Sequence, residues 1–548
     1  MATQEDNTSD LELQSVSESE SEAEEIHTSG VTEGSSTQQA SGSTSNKKKK
    51  KKKKSKAKKI FDKLTGNEIP QEIVDRVVEQ VKKDGTVASE DINEENVREA
   101  LEHMKIMDVV KGKAGIGGFN RKDMGEHKFW STQPVPQPGE GPPEADGYID
   151  PSKPPEEVRQ EPYQLPEHFE WSTLDIDDPV QNKEVYDLLS LNYVEDDQAA
   201  FRFKYSGEFL AWALKPPGYH KEWHIGVRVS KTKKLVAFIS GIPMKLRVRQ
   251  NTIMVTEINF LCVLKKLRSK RLAPVLIKEV TRRVHLKGIF QAIYTAGVVI
   301  PTPVAVCRYY HRSLNIQKLI DTKFSFIPRS STLARMIRLN KVPENTSLPG
   351  LRQMEGKDVD AVTVLFAEYM KRFDMVPLFN AEEARHTFLS GAGRGEVGSG
   401  GTGRREGQVT WSYVVEDPST KKITDFFMFY SLPSTVINNL TYPLLEAAYL
   451  FYYATDAGVA PADDQDGKVK KRLTTLIGDA LIIANNAKFD VFNALTLMDN
   501  APILQDLKFG PGDGFLNFYL YNWRTSTLAG VNPEGDRPAG RGVGVVML

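Results

Sequence analysis

Three cations in four residues, Arg268, Lys270 and Arg271, stand where an apolar strand gives way to a helix. The stretch Glu257–Pro274 reads Glu-Ile-Asn-Phe-Leu-Cys-Val-Leu-Lys-Lys-Leu-Arg-Ser-Lys-Arg-Leu-Ala-Pro. Ile258, Phe260, Cys262 and Leu264 alternate with Asn259, Leu261 and Val263, a period of two with almost no polar face, as in a strand buried on both sides. Leu276, Val280 and Val284 then mark one face of a helix, with Pro274 suited to its first turn. A basic loop beside the unpaired N–H groups of a helix start suits a phosphate; its alternative is a solvated basic turn.

Other stretches carry chemistry of different kinds. The chain closes on Gly-Val-Gly-Val-Val-Met-Leu, apolar up to Leu548, which fits a terminal strand added to a sheet or a terminus buried for a purpose. Tyr193-Val-Glu-Asp-Asp197 followed by Phe201-Arg-Phe203 joins acids to aromatics, as in a peptide groove or an acidic loop before an edge strand. Lys508–Gly514 resembles a phosphate cradle only superficially, because Pro511 lacks an N–H and Asp513 repels phosphate. Cys262 and Cys307 lie in segments that read as buried, without an adjacent base, so neither is expected to form an acyl-enzyme. With two cysteines the chain has no disulfide framework and no cysteine zinc site. His311 is read as a packed or peptide-side residue.

The elements that must position these residues follow from periodicity. Helices are expected at 184–191, 208–214, 275–286, 304–315, 359–373, 442–453 and 474–487. Strands are expected at 223–229, 235–242, 253–264, 291–300, 409–415, 423–430, 491–494 and 516–523. Gln133–Pro166 is proline-rich, an extended arm or a linker, and Glu94–Val110 reads as a short amphipathic helix. Asn340–Pro349 reads as a linker, Gly391–Gly407 as a mobile Gly/Arg insertion, and Ala460–Lys471 as a polar loop. The organisation expected is 1–60 as a tail, 61–170 as an arm, and globular halves at 171–340 and 341–548.

The 548 residues sum to zero net charge, but residues 1–46 hold ten acids and no Lys or Arg, and Lys47–Lys54 is an unbroken run of eight lysines. Residues 1–60 cannot bury enough apolar surface to offset the entropy of ordering, so a disordered acidic and then polylysine tail is expected. The block Lys47–Lys59 suits ribosomal RNA, a nuclear address or an anionic membrane surface; DNA is not an expected partner. The chain has no apolar run of the ~18–20 residues that cross a bilayer and no secretory signal, so a soluble cytoplasmic protein is expected.

The string Glu-Ile-Asn-Phe-Leu-Cys-Val with Lys-Leu-Arg-Ser-Lys-Arg, together with Lys508-Phe-Gly-Pro-Gly-Asp-Gly514, resembles the signatures of the N-myristoyltransferases, fungal-type, from about His127 to Leu548. Arg268–Ala273 also resembles the pyrophosphate loop of the GCN5-related acyltransferase fold, with Arg271 in place of its middle glycine. The resemblance implies an α/β (α+β) fold: two pseudo-symmetric GCN5-related (GNAT-like) halves forming one saddle-shaped sheet core, the first half binding acyl-CoA and the second the peptide. It implies transfer of myristate from myristoyl-CoA, a co-substrate, to an N-terminal glycine, acyl-CoA binding first, in a monomer that needs no metal and no permanently bound cofactor. Rival readings are a same-fold acyltransferase of different acyl length and a non-catalytic ribosome-binding protein.

By the same resemblance, His127, Lys128, Phe129, Trp130, Phe260, Leu261, Cys262, Val263, Arg268, Ser269, Lys270, Arg271, Leu272, Ala273 and Pro274 contact acyl-CoA. The Phe260 and Leu261 amides form an oxyanion hole at a strand bulge, Asn259 and Thr295 orient the glycine amine, and the α-carboxylate of Leu548 is the general base. Tyr193, Asp196, Asp197, Phe201, Phe203, Tyr294, Ser434, Tyr449, Gly510, Asp513 and Gly514 face the peptide, the last three within Lys508–Gly514, whose glycine positions only glycine would fit because the backbone approaches closely there. Gln198 replaces an acid found in some relatives, which weakens the expected preference for a downstream basic residue.

Overall fold

The computed structural model describes residues 128–194, 200–268, 270–399, 403–437, 439–458, 467–530 and 541–548. The tail to Lys59, the 94–110 helix, His127, Asp196, Asp197, Gln198 and Ser269 lie outside the described residues. The first half contributes strands β1 (Phe169–Thr173), β2 (Phe201–Phe203), β3 (His224–Val229), β4 (Leu235–Val248), β5 (Asn251–Val263), β6 (Gln291–Ala296) and β7 (Ala305–Ser313). Its helices are α1 (Pro179–Asn192), α2 (Gly207–Leu214), α3 (Leu272–His285), α4 (Ile316–Asp321) and α5 (Leu333–Asn340). The second half contributes β8 (Leu351–Gln353), β9 (Met375–Pro377), β10 (Thr410–Glu416), β11 (Ile423–Ser431), β12 (Ser434–Val436), β13 (Leu444–Leu445), β14 (Ala447–Thr455), β15 (Val491–Leu495) and β16 (Gly510–Tyr521). Its helices are α6 (Val359–Met370), α7 (Ala381–Leu389), α8 (Lys468–Asn486) and α9 (Ala501–Leu504). None of the described helices is long and apolar enough to cross a membrane.

Thirteen strands form one sheet in the order β1-β3-β4-β5-β6-β16-β7-β15-β14-β11-β10-β8, with β9 paired to β4. The order is a duplication with exchange. In each half a parallel pair is bridged by a helix, β5-α3-β6 and β14-α8-β15, and flanked by antiparallel strands. Each half then lends its last strand to the other: β7 pairs with β15, β16 pairs with β6, and β7 and β16 meet at the centre. Both parallel pairs end early, at Ile258–Tyr294 and at Tyr449–Asn493. Two residues further on, both long strands bulge: Phe260 and Leu261 oppose Ile239 alone, and Phe451 and Tyr452 oppose Met428 alone. The duplication is invisible residue by residue and plain in the register.

Two expected helices are strands. Residues 304–315 form β7, where Ala305 and Cys307 are buried and Val306 and Arg308 less so, a period of two. Residues 442–453 fall in β13 and β14, and β14 lies between β11 and β15, so apolar residues on both of its faces erase the alternation. Lys468–Lys471, expected in a loop, open α8. The Gly/Arg tract is tied down at its described base: Arg394 and Glu406 bridge, and Arg404 pairs with Glu446 at 2.6 Å and lies 4.1 Å from the centre of the Phe489 ring. The chain end is not a sheet strand; it makes a single bridge between Val543 and Met375.

The proline-rich segment is an arm, not a linker. Asn522 takes the Ile149 and Asp150 amides on its side-chain oxygen, and Tyr163 N–H donates to Glu279 at 3.1 Å. Glu279 is fully buried on α3 and also receives Arg282 at 2.6 Å and Arg283 at 2.8 Å, while Arg282 reaches back to the Gln160 carbonyl at 2.8 Å. Removing Glu279 strands a buried guanidinium. Glu279→Ala should therefore cost about 3–5 kcal/mol in urea unfolding and expose the arm near Tyr163 to protease; a cost under about 1 kcal/mol would mean that the cluster behaves as a surface ion pair.

Candidate active site

Past Ile258 and Tyr294, β5 and β6 separate, and a cavity of about 190 Å³ opens between them. The bulge at Phe260–Leu261 forms part of its wall, and Phe260 is held at φ +57°, a left-handed backbone that a bulky L-residue adopts only under constraint. Asn259, Thr295 and Tyr294 share this cavity with Trp130, Tyr193 and Leu548. Ile277, Val280, Val284, Ile289 and Phe290 supply an apolar wall. His285 lies against them with its pKa lowered to about 4, first by burial and then by Lys153, so it is neutral at pH 7.

Leu548 reaches the cavity because the preceding residues are gripped on the way. Gly542–Met547 are all buried; Met498 N–H donates to the Val543 carbonyl at 2.8 Å, and Gly544 N–H donates to Met375 at 2.8 Å. Arg541 pairs with the buried Asp499 at 2.8 Å, which also receives Arg372 and the Tyr369 hydroxyl.

Glu257 does not line the cavity but stands behind one residue that does, a neighbour that was not expected. It lies next to Asn259 on the same face of β5, and the Asn259 amide donates to its carboxyl at 2.6 Å. Burial raises its pKa to about 7, against the weaker lowering by Asn259. The sequence carried one signal for it, an acid inside an otherwise apolar strand.

At the basic loop, Arg271 sits at φ +58° as the residue before α3, in the backbone region a glycine would occupy freely, and no side chain caps the helix start. Leu272, Ala273 and Pro274 form its first turn. Arg268 is partly committed to protein: its guanidinium donates to the Asn192 and Val263 carbonyls. Lys270 is half-buried in the loop, and Val263 and Cys262 are buried in β5. Burial pushes both Cys262 and Cys307 thiols up to about 12, so neither is a thiolate at neutral pH. Trp130 stacks on Tyr294 at 5.6 Å and Phe129 packs edge-on against it at 5.1 Å, while Lys128 is exposed.

Of the residues expected on the peptide side, Phe201, Phe203 and Ser434 lie on a second, three-stranded sheet. Phe201 and Phe203 lie on β2, paired with β12, where Ser434 faces Phe203 and Val436 faces Phe201. From there rings run towards the bulge: Tyr449 to Phe203 at 6.2 Å, Phe203 to Tyr205 at 5.9 Å, and Tyr205 to Phe260 at 5.4 Å, with Tyr193 6.0 Å from Phe260. At the start of β16 one expectation is corrected. Gly510 has open space where a Cβ would stand, so glycine is not required there, whereas a Cβ at Gly514 would lie 3.3 Å from the Tyr309 ring, which would have to give way. The close approach is at Gly512, whose Cβ would lie 2.3 Å from His311 Nε2. Asp513 is exposed, and its charge works on the buried His311 against the lowering by desolvation. Among the described residues no group of three His, Cys, Asp or Glu could hold a metal.

Comparison with known proteins gives a consistent result. Residues 148–307 match the family model of the N-terminal domain of myristoyl-CoA:protein N-myristoyltransferase, and residues 321–546 match that of its C-terminal domain. The chain is 53% identical to a glycylpeptide N-tetradecanoyltransferase of Emericella nidulans, over 83% of this chain and 90% of that one. It is 51% identical to the enzyme of that name from Saccharomyces cerevisiae, over 78% and 93%. A crystal structure of Saccharomyces cerevisiae N-myristoyltransferase with bound myristoyl-CoA superposes with a TM-score of 0.73 at 50% identity, covering 78% of this chain and all of that one.

Because its folded pKa is raised from 4.5 to about 7, Glu257 favours folding fully below pH 4.5 and progressively less as pH rises through 7. Glu257→Gln should therefore gain stability relative to the parent chain between pH 5 and 8, by at most about 3 kcal/mol. A difference independent of pH in denaturant titrations would place the Glu257 carboxyl in water.

Proposed function

The chain belongs to the myristoyl-CoA:protein N-myristoyltransferase family, and we infer that it moves a tetradecanoyl group from its coenzyme A thioester to the α-amine of an N-terminal glycine. The observation that carries this reading is the meeting of the Phe260–Leu261 bulge, Asn259, Thr295 and Leu548 around one cavity at the open edge of β5.

The chemistry follows from what those groups can do. A glycine α-amine has a pKa near ~8, so roughly a tenth is neutral at pH 7 and a weak, well-placed base suffices. The α-carboxylate of Leu548 accepts the ammonium proton, while Asn259 and Thr295 hold the nitrogen. The freed lone pair adds to the thioester carbonyl. Negative charge moves to the carbonyl oxygen, where the Phe260 and Leu261 N–H groups stabilise it; one such donor is typically worth 10²–10³ in rate. Collapse breaks the C–S bond, and the second proton of the attacking nitrogen passes through water to the departing thiolate, leaving the amide and the free coenzyme thiol. High thiol pKa values at Cys262 and Cys307 favour this direct route over an acyl-enzyme.

Coenzyme phosphates suit the uncapped start of α3 with Lys270 and Arg271, and Lys128, Phe129 and Trp130 lie on the coenzyme side. Arg268, already bonded to Asn192 and Val263, fixes the loop more than it contacts phosphate. The acyl chain lies along Ile277, Val280, Val284 and Phe290, and acyl-CoA binds first. The peptide runs by Tyr193, Phe201, Phe203, Tyr449 and the 510–514 segment, with Asp196 and Asp197 meeting a basic residue downstream. The division at 340–341 separates the two binding roles. We assign the lysine block to ribosomal RNA, in a cytoplasmic monomer.

The test is transfer from acyl-CoA donors of 2 to 16 carbons to a Gly-initiated peptide and to the same peptide starting with Ala. Tetradecanoyl transfer to the glycine peptide should exceed every other pairing. Preference for a short donor would make the chain an acetyltransferase of the same fold, and no transfer would leave a binding protein.

A further inference from the structure

The bulge on β14 repeats the bulge on β5, and its second residue, Tyr452, stands where Leu261 stands in the first half. In the first half the gap beyond the parallel pair is the transfer cavity. In the second half the chain's own end runs through the corresponding gap: Val543 is bonded to Met498, just past β15, and Val546 is bonded to Tyr452 on β14. We infer that Tyr452 is the positioning residue of the terminal carboxylate, the second-half bulge serving to aim Leu548 into the first-half cavity. This rests on the reading of Leu548 as general base.

The grip is two-sided. Val546 N–H donates to the Tyr452 hydroxyl at 3.0 Å, and the hydroxyl lies 3.4 Å from the Val546 carbonyl, to which it donates. Among the described residues it is the hydrogen-bonded tether nearest the chain end; the next backbone tether upstream is Gly544 to Met375. Two residues remain, a reach of at most about 7 Å. A tether at Gly544 alone would leave four residues, about twice that swing. The ring itself is fixed: Tyr452 is 1% exposed, with Phe451 at 4.4 Å, Phe366 at 5.3 Å and Phe379 at 5.8 Å. Burial raises its pKa, opposed by the Val546 backbone and reinforced by Glu257, so the hydroxyl keeps its proton at neutral pH and can donate and accept at once. Glu257 also holds Asn259, which places the tail clamp and the amine-side residue around one carboxyl.

Tyr452→Phe deletes the hydroxyl and keeps the ring. Turnover should fall roughly ten- to a hundredfold, the scale on which small misplacements of a catalytic group act. KM for the glycine peptide and binding of myristoyl-CoA should be unchanged. In a chain lacking Met547 and Leu548, the same substitution should have no further effect on turnover, because the new terminal carboxylate, on Val546, stops two residues short of the cavity. Equal losses from Tyr452→Phe in both backgrounds would overturn the inference and leave Tyr452 an ordinary packing residue, as would full turnover in the single variant. A truncated chain as active as the intact one would remove the terminal base itself, and the inference with it. Should Tyr452→Phe not fold, Val546→Pro removes the same bond from the other side. Reduced turnover with myristoyl-CoA binding intact would support the clamp, and undiminished turnover would refute it.

Discussion

A parallel strand pair cannot separate inside a protein without leaving backbone groups in need of partners, and β5 and β6 separate at Ile258 and Tyr294. The bulge two residues later turns β5 by inserting one residue into its pairing with β4, with Phe260 held in a left-handed conformation. Strain of that kind persists only where the surroundings fix it, here through packing of Phe260 against Tyr193 and Tyr205. The cavity follows from this one break in pairing, and so do the positions of Asn259, Phe260 and Leu261 in its wall, on which the proposed oxyanion and amine contacts rest. The rest of the sheet holds the two strands apart.

The second half uses the same device differently. Its parallel pair also ends early and its long strand also bulges, but the gap takes the chain's own final residues, not an acyl chain. Exchange of β7 and β16 across the centre makes the two gaps parts of one sheet. The base proposed at Leu548 would be imprecise if the last eight residues hung free. Here the pairing of Arg541 with the buried Asp499, the backbone bonds at Val543 and Gly544, and the Tyr452 hydroxyl constrain the chain end in succession.

Much of this was legible in the sequence where the pattern is local. The strand at 253–264, the helix after it and the hairpin at 409–430 were readable because alternation or a helical stripe survives in them. β14 reads as a helix because a strand in the middle of a large sheet is apolar on both faces and a short apolar run carries no period; β7 alternates only over its first residues, and its aromatic and β-branched content is the better guide. The site was found through the family signature, which drew attention to Asn259, Phe260, Thr295 and Leu548 although they are far apart in the chain. Glu257 was missed because its burial, and Tyr452 because its bond to Val546, come from packing of segments distant in the chain, and Gly512 because its constraint comes from His311 on another strand.

The central claim is that the backbone carboxylate at Leu548 takes the proton of the attacking amine. Its most direct test changes that group and nothing else: a chain of the same sequence, ligated so that Leu548 ends in a carboxamide, compared in single turnover with the carboxylate form after loading with myristoyl-CoA. The account predicts equal loading and an acyl-transfer rate lower by on the order of 10²-fold. Equal transfer rates in the two forms would contradict it and send the search for the base elsewhere, beginning with Glu257 behind Asn259.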